Sequence, residues 1–207
     1  MPKFSIIVPA YNAEDRIRTV LHSVRYQENV TDYELIVVCD SCTDNTAKIA
    51  REEFNAIVVE EEYGNDGLSR SKGLDIATGD WVLFLDDDDY WLHEYVLDMI
   101  NKVLIRVNHE LDLLQFGFIW KGKGYYPSSQ DKSGGIIIYS NVWTKCFRRE
   151  FIGDTRFPNI YSISDSKFVQ AIMDKKPRIK VIDYPMYYYN YMREGSITET
   201  SNKEENK

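Results

Sequence analysis

The 207-residue sequence predicts an α/β fold, a single domain with a mostly parallel central sheet flanked by helices. Three short apolar runs rich in β-branched residues lie at 4–9, 33–38 and 57–59, and segments of helical spacing separate them. This β-α-β-α-β order is typical of parallel strands joined by right-handed crossovers. A fourth apolar run, 81–85, has the continuous pattern of a strand that is buried on both faces.

The remaining elements follow from the spacing of apolar side chains. Helices are predicted at 13–25, from 46 onward, at 68–77, 91–108 and 165–173, and strands at 111–120 and 179–182. Residues 142–152 have the pattern of a helix or a turn. The glycine- and polar-rich stretch 121–135 is predicted to be a mobile loop, and the polar tail 201–207 to be disordered.

Composition limits the classes of function. The net charge of −8 and a pI near 5.0 exclude a general nucleic-acid binder, which would carry a basic stripe. No run approaches the roughly 20 apolar residues of a membrane span, and the N-terminus does not have the pattern of a signal peptide. We therefore expect a cytoplasmic domain over 1–200, and we leave open its peripheral association with the inner face of a membrane.

Cys39 and Cys42 have the C-x-x-C spacing of a redox pair or of half a zinc site. Neither a second cysteine pair nor a closely spaced histidine pair completes such a site. Cys39 also ends an apolar run, which favours the interpretation of a small buried hydrophobic residue.

Four consecutive carboxylates, Asp86 to Asp89, follow the strand predicted at 81–85. Ligands of open α/β sheets bind at the carboxyl ends of the strands, where this cluster lies. Adjacent carboxylates repel one another and often bind a cation, although an acidic turn can also cap the next helix. The strand context favours a ligand site, and oxygen ligands suit Mg²⁺ or Mn²⁺ equally.

Polar clusters at 12–14, 40–44 and 86–89 are expected to converge on one edge of the sheet. The helix at 68–77 adds Arg70 to this group. Such a combination suits a nucleoside diphosphate bridged by a divalent metal, which would stabilise a leaving diphosphate. On this interpretation residues 1–110 form a nucleotide-binding half and residues 111–200 an acceptor-side half.

The sequence resembles the family 2 glycosyltransferases of GT-A fold in three segments, 4–12, 40–46 and 70–89. The resemblance implies an inverting transfer of a sugar from a nucleotide-sugar, usually a UDP-sugar. It implies that Asp88 ligates the metal, that Asp86 lies near the ribose or the metal, and that Asp40 contacts uracil. Arg70 would face the nucleotide, and Asp87 is grouped with the donor-binding residues. The first-strand nucleotide pocket is matched by Pro9, Tyr11 and Glu14.

Later segments resemble the acceptor side of the same family. Residues 142–149 precede Ser164-Asp165, where the family often has Glu-Asp, and Asp165 would be the general base. Asp165 could also be a helix N-cap. Residues 187–198 resemble a segment that closes over the donor, with Arg193 reaching the diphosphate, although the tyrosines in it could equally form a core strand. The implied acceptor is a saccharide or a lipid-linked saccharide, in surface polysaccharide synthesis.

Departures from the family pattern bear on the donor, and two other functions remain open. Cys39 precedes Asp40 where the family usually has two acids, and Ser71 and Ser164 stand where it often has Asn and Glu. These departures weaken any inference about the donor sugar. A non-catalytic module that binds a nucleotide-sugar is one alternative. A nucleotidyltransferase is another, but residues 10–14 lack the glycines and the lysine that such enzymes use for a triphosphate.

Overall fold

A computed structural model describes residues 3–107, 110–128, 136–161 and 163–191. The strands are β1 (Phe4–Ala10), β2 (Tyr33–Asp40), β3 (Ile57–Glu61), β4 (Trp81–Phe84), β5 (Tyr90–Trp91), β6 (Leu113–Trp120), β7 (Gly124–Tyr126), β8 (Lys145–Arg148) and β9 (Ile179–Tyr189). The helices are α1 (Ile17–Arg25), α2 (Thr46–Phe54), α3 (Asp66–Ile76), α4 (Val96–Arg106), α5 (Arg149–Ile152) and α6 (Ser164–Asp174).

Within the described ranges, the nine strands form one sheet in the order β3-β2-β1-β4-β8-β6-β9-β5, and β7 pairs with the end of β6. The first four strands in this order are parallel, and β6 and β9 are also parallel. β8 runs antiparallel between β4 and β6, and β5 pairs antiparallel with β9. The predicted α/β class is therefore confirmed, with a parallel first half and a mixed second half.

Two buried clusters cover the two faces of the sheet. Phe4, Ile6 and Val8 of β1 pack with apolar residues of α1, α2 and α4. Ile7, which points to the opposite face, packs with apolar residues of α3 and α6. The alternation within β1 thus places helices on both faces, as expected for a central strand. Both clusters include residues from either side of residue 110, and the division into two halves stays a prediction.

α3 packs against β1 at unusually close range through Gly73. A methyl group added at Gly73 would overlap Cγ2 of Ile7, a buried residue of β1. This contact sets the depth at which α3, with Arg70 one turn earlier, lies on the sheet.

Four predicted elements differ in the structure. Within the loop predicted at 121–135, Gly124–Tyr126 form β7, which pairs with the end of β6. The helix predicted at 91–108 begins at Val96, because Tyr90 and Trp91 pair with β9; Asn108 lies outside the described residues. In the segment 142–152, predicted to be a helix or a turn, residues 142–144 form a turn and Arg149–Ile152 form α5, as predicted. Lys145–Arg148 instead form strand β8, because they pair with β4 and β6, and four residues are too few to show a period in the sequence. The helix predicted from Ala13 begins at Ile17.

Candidate active site

Pro9 lies where β1 separates from β4. The register between these strands ends at Ile7 opposite Phe84, whereas Pro9 pairs only with Val38 of β2. Proline has no N–H for a ladder, so it is tolerated where pairing on one side has ended. In the sheet order β3-β2-β1-β4, β2 and β3 follow on one side of β1 and β4 lies on its other side. The position between β1 and β4 is therefore a topological switch point, where open α/β sheets bind ligands.

The loops that follow the four parallel strands contact one another at this edge. The Asn12 side chain accepts a hydrogen bond of 2.8 Å from the Thr43 N–H. The Tyr11 N–H donates to Asp87 Oδ2 at 3.0 Å. The predicted convergence of the polar clusters is thus present in the structure.

Asp40 holds the turn that precedes α3 with both of its carboxylate oxygens. Oδ1 accepts the N–H groups of Tyr63 and Gly64 at 2.7 and 2.9 Å, and Oδ2 accepts the Asn65 N–H at 2.8 Å and the Ser69 hydroxyl at 3.1 Å. Burial alone would raise the pKa of Asp40, but these hydrogen bonds lower it below its ordinary value. The predicted contact of Asp40 with uracil stays a prediction.

The four adjacent carboxylates coexist because they diverge from a tight turn. The Asp89 N–H donates to the Asp86 carbonyl at 3.3 Å, which places Asp87 and Asp88 at the corner of the turn. Asp87 Oδ2 accepts a 2.9 Å bond from Arg16, whose guanidinium also binds carbonyls of the loop after β1. Asp87 therefore connects the acidic turn to that loop.

Asp89 faces the opposite side of the turn and is 1% exposed. Its Oδ2 accepts a 2.6 Å hydrogen bond from the Tyr187 hydroxyl, and its Oδ1 accepts the Asn190 N–H at 2.7 Å. Tyr187 lies in β9 and is fully buried, so the strand interpretation holds for this tyrosine.

Arg70 joins carboxylates from three separate segments. Its guanidinium bonds with Asp66 on α3, contacts Asp86 after β4 at 2.6 Å, and lies 3.5 Å from Asp165 on α6. The Arg70 side chain is only 5% exposed. A buried charge is costly unless it is paired, and this cluster supplies the pairing.

Burial and mutual repulsion determine the electrostatics of this cluster. Burial, together with repulsion from Asp165 and Asp88, raises the pKa of Asp86 to about 7 against the opposing effect of Arg70. Burial likewise raises the pKa of Asp165, although Arg70 and the Val142 N–H oppose the shift. Catalytic acids and bases often have carboxyl groups with a raised pKa.

Asp165 is the second residue of α6 and does not cap it. Ile163 occupies the N-cap position, and the helix has no capping hydrogen bond from a side chain. Oδ2 of Asp165 accepts the Val142 N–H at 3.2 Å, whereas its buried Oδ1 accepts no hydrogen bond in the described part of the structure and lies 3.5 Å from the Arg70 guanidinium. Asp165 Oδ1 is therefore a buried acceptor without a hydrogen-bond donor in the described residues, and the predicted role of Asp165 as the general base stays a prediction.

Asp86 and Asp88 suit a divalent cation by their chemistry. Burial and repulsion from neighbouring carboxylates raise the pKa of Asp86, and a bound cation would oppose both effects. The described residues contain no group of three or more His, Cys, Asp or Glu side chains arranged to hold a metal. Mg²⁺-type ions are commonly bound by one or two carboxylates together with substrate phosphates and water. The residues thus fit an ion that is shared with a diphosphate.

The other predicted residues have different surroundings. Tyr11 is 61% exposed, and Glu14 accepts two hydrogen bonds from Asn45 on the neighbouring loop. Arg193, most of the predicted lid segment and residues 129–135 of the predicted loop lie outside the described residues. Cys39 is buried in the core as its apolar run predicts, and the half-buried Cys42 lies beside the Ala10 carbonyl at 3.4 Å; both are free thiols.

Sequence reasoning missed several residues that organise the site. Asp66 was recognisable, because it lies four residues before Arg70 on one helix. Arg16 and Lys145 had no local signal, since their partners are distant in the sequence or belong to an irregular turn.

The sequence matches the family described as Glycosyl transferase family 2 over residues 5–144, more than half of the chain. The chain belongs to this family. Staphylococcus aureus TarS, named a poly(ribitol-phosphate) beta-N-acetylglucosaminyltransferase, is 34% identical over 94% of this chain. This chain covers 36% of that relative, so it spans about a third of the relative's length.

Similar solved structures confirm the GT-A fold. Residues 1–349 of S. aureus TarS in complex with UDP-GlcNAc give a TM-score of 0.81 at 28% identity, over 96% of this chain and 61% of that one. The mannosyltransferase PcManGT from Pyrobaculum calidifontis, in complex with GDP-Man and Mn²⁺, gives a TM-score of 0.70 at 20% identity, over 94% of this chain and 58% of that one. This second likeness shows the fold alone. None of the helices in the described ranges is long and apolar enough to cross a bilayer.

Proposed function

We propose that this member of glycosyl transferase family 2 transfers a sugar, with inversion, from a UDP-sugar to a hydroxyl group of a surface-polymer precursor. The observation that carries the proposal is the buried cluster in which Arg70 contacts both Asp86 and Asp165. A carboxylate from the donor side of the sheet and a candidate base from the acceptor side thereby lie around one guanidinium. The UDP-GlcNAc complex of the similar TarS domain supports the choice of donor.

The donor side would be formed by the loops after β1, β2 and β4. Asp40 and Asp87 fix these loops by hydrogen bonds to backbone N–H groups, which gives the nucleotide a preorganised surface. Asp86 and Asp88 would hold Mg²⁺ or Mn²⁺, whose charge would stabilise the diphosphate as it leaves. Arg70 would keep Asp86 oriented toward this position.

The acceptor side would depend on Asp165. Its Oδ1 would take the proton of the acceptor hydroxyl while the acceptor oxygen forms a bond to the anomeric carbon. The bond from that carbon to the diphosphate oxygen breaks on the opposite face, and UDP leaves with the electron pair. The raised pKa of Asp165 brings it closer to neutral pH, where a general base is most effective.

The acceptor would be a polyol phosphate or a saccharide, presented on a polymer or on a lipid carrier. The relatives that act on poly(ribitol phosphate) support this class. A lipid-linked acceptor would place the reaction at the inner face of a membrane.

The decisive experiment separates donor binding from transfer. UDP release from UDP-GlcNAc and UDP-glucose is measured with Mg²⁺ or Mn²⁺ and a ribitol-phosphate oligomer, and UDP binding is measured by calorimetry. We expect Asp165→Asn to lose about 10²- to 10⁴-fold in kcat and to keep UDP binding. Asp88→Asn should lose the metal-dependent part of UDP binding.

Asp75→Asn is the matched control, because Asp75 is an exposed residue of α3 that pairs with Arg156. It should leave both quantities unchanged. Metal-dependent UDP binding without transfer to any acceptor would favour the non-catalytic module. Absence of nucleotide binding would contradict the proposed donor site.

A further inference from the structure

Lys145 is a fully buried lysine at the start of β8. Its Nζ donates hydrogen bonds to the carbonyls of Tyr139 and Asn141 at 2.6 and 2.7 Å and to the Thr144 hydroxyl at 3.2 Å. A lysine ammonium has three N–H donors, so these three neutral acceptors use all of them. Burying a charged group is expensive, and a neutral side chain of similar length would fill the same space.

The acceptors belong to the turn 139–144, which leads into β8 beside Asp165. The Lys145 N–H closes this turn by donating to the Val142 carbonyl at 3.1 Å. The Val142 N–H then donates to Asp165 Oδ2 at 3.2 Å. The backbone of Lys145 and its side chain thus hold the segment that carries the hydrogen-bond donor to Asp165.

We propose that Lys145 is a positioning residue for the transfer reaction: it shapes the turn 139–144 so that the Val142 N–H orients Asp165. This assignment rests on the proposed function, because it takes Asp165 as the base. With Oδ2 engaged by Val142, Oδ1 is the oxygen left for the acceptor hydroxyl.

In the described part of the structure, charged groups from three segments, α3, the turn after β4 and β8, face Asp165, and Lys145 is one of the two cations among them. Burial raises the pKa of Asp165, Asp66 on α3 and Asp86 after β4 add repulsion, and Arg70 and Lys145 oppose it. Burial lowers the pKa of Lys145 to about 7, and the Asp165 carboxylate opposes that shift. Each group therefore favours the ionised form of the other.

The test uses two neutral variants of the full chain. Lys145→Met removes the charge and all three donors, whereas Lys145→Gln removes the charge and keeps an amide donor for the turn. We expect kcat to fall by about tenfold to a hundredfold in Lys145→Met, with UDP affinity unchanged, because a misoriented base slows the chemical step. In both variants the acidic limb of the rate profile should move to higher pH, since Asp165 loses a nearby cation.

Lys175→Met is the matched control. Lys175 also donates to two backbone carbonyls, those of Phe151 and Ile152, but it follows the opposite end of α6 from Asp165. It should change neither kcat nor the pH profile. Urea unfolding of each variant identifies any that fail to fold, and Lys145→Gln is the variant of choice if Lys145→Met does.

An independent readout does not require turnover. In protein labelled with ¹³C at aspartate carboxyl groups, the Asp165 signal, assigned with Asp165→Asn, should titrate at higher pH in Lys145→Gln. A folded variant with an unshifted titration and normal kcat would overturn the role of Lys145. So would a loss of UDP affinity equal to the loss of kcat, which indicates general structural damage. If Asp165→Asn retains transfer, the proposed base itself is wrong and the assignment of Lys145 falls with it.

Discussion

The Tyr187 hydroxyl donates a 2.6 Å hydrogen bond to Asp89, and both side chains are buried. The same hydroxyl accepts the Asp86 N–H at 3.2 Å. One tyrosine of β9 therefore holds both ends of the acidic turn, Asp86 and Asp89. The fourth carboxylate of the run has this structural role, and the position of the predicted metal ligands depends on it.

Tyr187→Phe should weaken both folding and donor binding. Asp89 would keep its bond from Asn190 but lose the hydroxyl donor while still buried, so we expect unfolding in urea to require about 1–3 kcal/mol less free energy. Metal-dependent UDP affinity, measured by calorimetry, should fall because the acidic turn loses a fixed end. Tyr188→Phe, at a neighbouring residue whose ring stacks on Tyr90, is the control. Equal behaviour of the two variants would contradict the role of Tyr187.

Asp40→Asn should destabilise the turn before α3. The amide of asparagine would place its NH₂ group against N–H donors that now bind a carboxylate oxygen, at a residue that is 6% exposed. Leaving such donors unsatisfied costs about 1–3 kcal/mol, which urea unfolding would detect. UDP affinity should fall as well, and Asp154→Asn, at an exposed loop position, should change neither. An unaltered unfolding free energy in Asp40→Asn would show that the carboxylate is dispensable for the turn.

The parallel half of the sheet was predictable because each of its strands is an apolar run of its own. β5 and β8 were not, since they have two and four residues and their conformation is determined by pairing with strands distant in the sequence. A local period cannot show such pairing.

The candidate site was predictable in its location but not in its contacts. Strand topology brought the acidic run and Asp40 to one edge. The sequence did not show which carboxylates have partners within the protein. These partners are Arg16, Arg70 and Tyr187, which lie in separate segments distant from the carboxylates in the sequence.

Gly73→Ala should destabilise the protein despite the higher helix propensity of alanine. Alanine gains about 1 kcal/mol in a helix interior. The added methyl would overlap Ile7, however, and overpacking of this kind typically costs about 1–3 kcal/mol. A double-mutant cycle checks the cause, because in an Ile7→Ala background the same substitution should become neutral or stabilising. A penalty that persists in that background would show that Ile7 is not its source.

Asp112→Asn should lower stability near neutral pH, and the loss should disappear in acid. Arg178 donates to Asp112 through its backbone N–H, Nε and Nη2, each at 2.9 Å, and so joins the starts of β6 and β9. These bonds hold the pKa of Asp112 below its ordinary value, so the folded state favours the carboxylate more than the unfolded chain does. The stabilisation is complete above the unfolded-chain pKa of about 3.9 and is lost as the pH falls through the lower folded-state pKa. Urea unfolding from neutral to acidic pH should therefore give a constant difference in unfolding free energy between wild type and variant that shrinks only below about pH 4.

A difference in unfolding free energy that grows on acidification would contradict this account of the ion pair. Asp75→Asn is the control, because Asp75 is an exposed carboxylate measured under the same conditions.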